Sequence, residues 1–75
     1  MTHNRNEKLL KDFGLHLKKL RQKRGFSQET LAFEADIPIS QIGRIERGEV
    51  NTTLITLDLL AKALKVSMQE LVDIP

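Results

Sequence analysis

The sequence has no cysteine, tryptophan or tyrosine, and its only aromatics are three phenylalanines. Without thiols, neither a disulfide framework nor a thiolate metal site can brace the fold. The two histidines, His3 and His16, are too few and too far apart to suggest a metal site of their own. No metal and no cofactor is expected. Also missing is any apolar run near the roughly 20 residues that a membrane helix needs. Met1-Thr2-His3-Asn4-Arg5 leads into alternating charge instead of a signal peptide's apolar stretch. The protein is therefore read as cytoplasmic, with no membrane partner. Catalytic chemistry has little to stand on: there is no glycine-rich phosphate loop, no His-Glu pair at helical spacing, and the ten acidic residues are scattered. His16, between Leu15 and Leu17, reads as a partly exposed packing residue and not as a base. The chain is not expected to be an enzyme.

No repeat, low-complexity tract or linker divides the 75 residues, so they form one domain. A domain this short buries only about 60 % of its unfolded surface, and it must rely on helical packing, with a second subunit as a further source of stability. The net charge of +2 hides an asymmetry. Residues 1–24 hold eight Lys or Arg against two acids, and residues 25–75 hold four against eight. A polyanion is expected to meet the basic side chains of the first helix.

Five helices can be read, and no strand pattern competes. The first runs from about Asn6 to Arg24, with Leu10, Phe13, Leu17 and Leu20 on one stripe and Gly25 as a left-handed cap. Gly14 costs this helix about 1 kcal/mol relative to Ala. Close packing of another helix is read as the reason, with a kink as the alternative. The second helix, Gln28 to Ala35, is capped by Ser27 and buries Leu31, Ala32 and Ala35. Asp36-Ile37-Pro38 then forms a tight turn: Asp tolerates positive φ, Ile37 anchors in the core, and Pro38 suits a first helical position. The third helix spans about Pro38 to Arg47. The fourth follows Thr53, with Leu54, Leu57, Leu60, Ala61 and Leu64 on one face. Ser67-Met68-Gln69-Glu70 opens the fifth as a capping box, and this helix is expected to bury Leu71, with Val72 as a second candidate.

Helices two and three make a helix-turn-helix, the arrangement in which the second helix can enter a DNA major groove. If Ile42 and Ile45 face inward, Ser40, Gly43, Arg44 and Arg47 lie opposite, with Ile39 and Gln41 at the flanks. Arg44 can pair with guanine O6 and N7, Gln41 with adenine N6 and N7, and Ile39 can touch a thymine methyl. Gly43, lacking a side chain, would let the helix seat deeply. Gln28 can donate to a phosphate from a helix N-terminus, and Asn51 and Thr52 approach the fourth helix where phosphate can also be held. Glu46 lies near the buried side and needs a partner, for which Arg21 is the candidate, as a structural ion pair. Lys18, Lys19, Lys23 and Arg24 either complement the helix dipole or contact phosphate. On the fourth helix Ile55, Leu59 and Ala63 recur every four residues opposite Leu57, Ala61 and Leu64. With Val66, Met68 and Val72 they are read as a twofold interface, which would set two recognition helices about 34 Å apart.

Several of these residues also carry a family resemblance: Phe13-Gly14 through Leu20-Arg21, Ser27-Gln28-Glu29-x-Leu31-Ala32, Ile42-Gly43-Arg44-Ile45-Glu46-Arg47-Gly48, Leu54-x-x-Leu57, Leu60-Ala61-x-Ala63-Leu64 and Glu70-Leu71. The pattern resembles the Cro/C1-type (XRE) helix-turn-helix family, and in size it is similar to restriction-modification controller proteins and small phage-type repressors. The resemblance implies an all-α, five-helix lambda-repressor-like domain that binds double-stranded operator DNA as a homodimer. It also implies that Gln28 contacts phosphate, that Ile39, Ser40, Gln41 and Arg44 face bases, and that Arg21 pairs with Glu46. Asp36, Pro38 and Ile39 depart from the residues the family often has there. The domain is placed at 9–73, with residues 1–8 as an N-terminal arm for which disorder is the expectation. The leading expectation is a sequence-specific transcriptional regulator. The alternative is the antitoxin of a toxin-antitoxin pair, with a toxin as protein partner, disfavoured because the chain offers no obvious tail beyond the fifth helix.

Overall fold

The computed structural model describes residues 6–75, which form five helices: α1 (Glu7–Lys23), α2 (Gln28–Ala35), α3 (Ile39–Glu46), α4 (Leu54–Leu64) and α5 (Met68–Val72). Among the described residues there is no strand, and no helix is long and apolar enough to cross a membrane. Because α1 starts at Glu7 with Asn6 as its cap, residues 6–8 are helix and cap; residues 1–5 of the expected arm, with His3, lie outside the described residues.

Side-chain oxygens start four of the helices. Asn6 Oδ1 accepts from Leu9 N, Ser27 Oγ from Thr30 N, Thr53 Oγ1 from Thr56 N and Ser67 Oγ from Glu70 N. Glu70 Oε1 returns a bond to Ser67 N at 3.0 Å, completing the capping box. The exception is α3, where Pro38 occupies the cap position just outside the helix and provides no side-chain acceptor.

Helices α1 to α4 end in the same way. A left-handed residue (Gly25, Asp36, Gly48, Lys65) turns the chain, and the next N–H bonds back to a carbonyl five residues earlier. The residues that follow the turn, Phe26, Ile37 and Val66, pack on or in the core; the fourth, Glu49, is exposed. Asp36 and Lys65 adopt φ 57 without being glycine, and in Lys65 no residue type announced it.

Leu17, Leu31, Ile42, Ile45, Leu60, Leu64 and Leu71 are fully buried, so every helix contributes to one core. On α4 the buried set is Leu60, Ala61, Ala63 and Leu64, while Leu57 is only partly covered. Two expectations are corrected here. Ala63 belongs to the core and not to an outer stripe, because both α2 and α5 pack on α4 and widen its buried arc. Leu54 sits in the first turn and is 72 % exposed. Val72 is exposed as well.

Gly14 shows why α1 carries a glycine at a helical interior. A Cβ there would sit 2.5 Å from the Ile45 carbonyl oxygen and against that of Glu46, so α1 crosses the carboxyl end of α3 at backbone contact. Helix propensity favours Gly14→Ala by about 1 kcal/mol. The overlap is with backbone, which cannot swing away, and overpacking costs about 1–3 kcal/mol or more. We therefore expect Gly14→Ala to lower the urea midpoint; an equal or higher midpoint would show that the helices do not meet this closely.

Candidate nucleic-acid interface

The position of α3 is set by a polar network beneath it. Arg21 Nε donates to Glu46 Oε2 at 2.6 Å and Nη2 to Oε1 at 3.0 Å, a bidentate pair whose side chains are 10 % and 4 % exposed. The remaining Nη1 donates to the Phe26 carbonyl at 2.9 Å. Gln28 Nε2 donates to Glu46 Oε1, also at 2.9 Å. The sequence suggests the ion pair, whereas it offers phosphate as the partner of Gln28. In the fold it is half-buried, with one N–H held by Glu46, so it ties α2 to the same network.

On the outer side, Ile39, Ser40 and Arg44 are exposed and Gln41 is half-buried. Ser40, Gln41 and Arg44 share an open concavity of about 270 Å³ with Asn51 and Thr52, bounded by Pro38, Val50 and Thr53. Thus the structure brings the base-facing candidates and the loop before α4 to one surface. Ile39 and Arg47 stand outside that lining. Gly43 does not open onto the surface as expected: it is buried, and a Cβ placed there would meet Arg47 Nη1 at 3.0 Å. The long side chain of Arg47 lies over the missing one.

Arg47 is held in turn by Glu49, with Nε donating to Oε2 at 2.8 Å. This carboxylate was missed in the sequence. Only the left-handed turn at Gly48 separates the two, and that tight reversal is the signal that could have found it. Arg47 keeps the Glu49 carboxyl below its ordinary range, mainly through this hydrogen bond, with Arg44 and Lys11 adding to the effect by their charge. Lys11 comes close because α1 passes over Gly48, where a Cβ would be 2.7 Å from Lys11 Cα. His16 bonds through Nε2 to the Glu70 carbonyl at 2.9 Å, linking α1 to α5.

This fold and surface define the class of helix-turn-helix transcriptional regulators. A family model described as Helix-turn-helix matches residues 17–71, and the chain belongs to that family, in its XRE-type branch. Control protein C.BamHI of Bacillus amyloliquefaciens is 40 % identical over 62 residues, 81 % of this chain and 76 % of its own. The restriction-modification controller protein C.AhdI from Aeromonas hydrophila superposes with a TM-score of 0.81 at 44 % identity, covering 83 % of this chain and 94 % of that one. C.Esp1396I, solved as a tetramer with its natural 35 base-pair operator, gives 0.74 at 37 % identity over 79 % and 78 % of the two chains.

Removing one partner of a buried ion pair leaves an uncompensated charge and costs about 3–5 kcal/mol, close to the lower end of the ~5–15 kcal/mol that holds small domains folded. Arg21→Leu should therefore largely unfold the chain by circular dichroism. Arg21→Lys, which keeps the charge but not the fork, should recover only part of the lost stability; full recovery would mean that charge alone suffices.

Proposed function

We propose that this protein is a transcriptional regulator that binds operator DNA as a homodimer, with α3 in the major groove. The observation that carries the reading is the exposed outer side of α3, where Ser40, Gln41 and Arg44 converge with Asn51 and Thr52 on one concavity. Arg44 reads guanine, Gln41 adenine, and Ile39 and Ser40 flank them. Asn51, Thr52, Arg47 and the second N–H of Gln28 hold phosphates. Such a protein acts in the cytoplasm and performs no catalysis. The controller relatives favour this reading over the antitoxin alternative.

Phosphate contacts release counterions, so log affinity should fall against log salt with a slope of about −0.9 per neutralised phosphate. Arg44→Ala should cost about 1–3 kcal/mol on the selected operator and relax its sequence preference at one base step. Equal weakening on random DNA would make Arg44 a phosphate contact. A salt-independent affinity in the wild type would end the DNA reading altogether.

For the dimer, Ile55 is 75 % exposed on α4, and Leu59 and Met68 are partly covered by their own core. With Ala63 internal, the self-association surface is assigned to Ile55, Leu59 and Met68. With Leu54 beside it in the same turn, 72 % exposed, Ile55 makes an apolar patch that favours a partner surface. Ile55→Glu should give a helical monomer by sedimentation with operator binding weakened through loss of the linked half-site. An undiminished dimer would move the interface elsewhere.

A further inference from the structure

The turn that ends α3 differs from those ending α1, α2 and α4. In those three the residue after the left-handed turn is apolar: Ile37 is buried, and Phe26 and Val66 pack against the core. At the same point after α3, Glu49 N bonds to the Arg44 carbonyl at 2.9 Å, but an exposed carboxylate stands where an apolar anchor would close the turn. Its oxygens take the Nε and Nη2 groups of Arg47 at 2.8 and 3.4 Å. This is the fork with which a guanidinium grips a phosphate. The third nitrogen, Nη1, lies over Gly43, whose lack of a Cβ gives the group its resting place on α3.

We propose that Glu49 is an internal competitor for phosphate on Arg47, lowering the protein's affinity for DNA of any sequence. The proposal rests on the DNA-binding reading above. Both partners are more than half exposed, at 60 % and 52 %, so the pair adds little to folding and is weak enough for a phosphate to replace. It nevertheless removes one cation from an interface whose sequence-independent affinity is almost wholly electrostatic. Arg44 and Lys11, which also act on this carboxyl, place it among the positive groups of the same surface. A regulator that must leave random DNA to find its operator gains from such a restraint, because competing sites outnumber the true one by orders of magnitude.

The test measures binding of a random-sequence duplex to the full chain across roughly 50 to 200 mM salt. Wild type, Glu49→Gln, Arg47→Ala, the double variant and Glu34→Gln are compared. Glu34 is an exposed acid on α2, so its variant reports the general effect of removing one negative charge. Glu49→Gln should bind more tightly than Glu34→Gln and steepen the log-log slope by about 0.9, one further phosphate, which is about a threefold larger loss of affinity over that fourfold rise in salt. In the Arg47→Ala background Glu49→Gln should change the slope no more than Glu34→Gln does. Equal behaviour of Glu49→Gln and Glu34→Gln, or a steepening that survives without Arg47, would overturn the proposal while leaving DNA binding intact. Absence of salt-dependent binding in the wild type would instead sink the DNA reading. Circular dichroism of each variant confirms that the fold is retained.

Discussion

The buried pair of Arg21 and Glu46 is the constraint on which the placement of α3 depends. Withdrawing two charges from water costs several kcal/mol each, and only good geometry with further hydrogen bonds offsets it. Here Arg21 donates three bonds and Glu46 accepts three, from α1 and α2. No buried side-chain nitrogen or oxygen among the described residues is left without a partner. An apolar cluster of equal volume could match this in stability, but it would tolerate small slides of one helix over another. A forked pair does not. Its two hydrogen bonds, with those from Arg21 to the Phe26 carbonyl and from Gln28 to Glu46, fix α1, the α1–α2 turn, α2 and the carboxyl end of α3 in one mutual arrangement. The backbone contact of α1 at Gly14 and Gly48 allows that approach.

Around this point the core closes through α4, which packs against both α2 and α5. Because both cover it, the buried arc extends from Ala61 through Leu64 and Leu60 to Ala63. That leaves Ile55 as its most exposed apolar side chain, close in exposure to Leu54 in the same first turn. The exposed apolar surface of α4 therefore concentrates at its N-terminal end, next to the loop holding Asn51 and Thr52. Self-association and phosphate contact would thus be neighbours in the chain, and a change in one would be felt at the other.

Much of this was legible in the residues, for identifiable reasons. Caps at Ser27, Thr53 and Ser67 are local chemistry, as are the positive φ at Asp36 and the inward stripe of Phe13 and Leu17. The partnership of Arg21 with Glu46 could be suggested because a carboxylate at the edge of a buried stripe demands a cation. What was not legible depends on neighbours. Ala63 turned inward because two helices, not one, cover α4. Leu54 in the first turn of α4 stayed outside that cover. Gly43 was read as an opening, yet Arg47, four residues on, lies across it; side-chain trajectories of long cations are not written in periodicity. Gln28 shows the same limit, since a residue placed to meet phosphate also meets Glu46.

The start of α3 adds a last consequence. An isolated helix of eight residues is unstable in water, and this one begins at a proline that offers no side-chain acceptor to the first turn. Its helicity must come from its surroundings: Ile37 buried at one end, and the Gly48 turn and the Glu46 network at the other. The same lack of a cap leaves the positive end of the α3 dipole uncontested by any side-chain oxygen of its own. A recognition helix built in this way is rigid only as part of the whole domain. Its binding face and its stability then respond together to any disturbance of the contacts that α1 and α2 make beneath it.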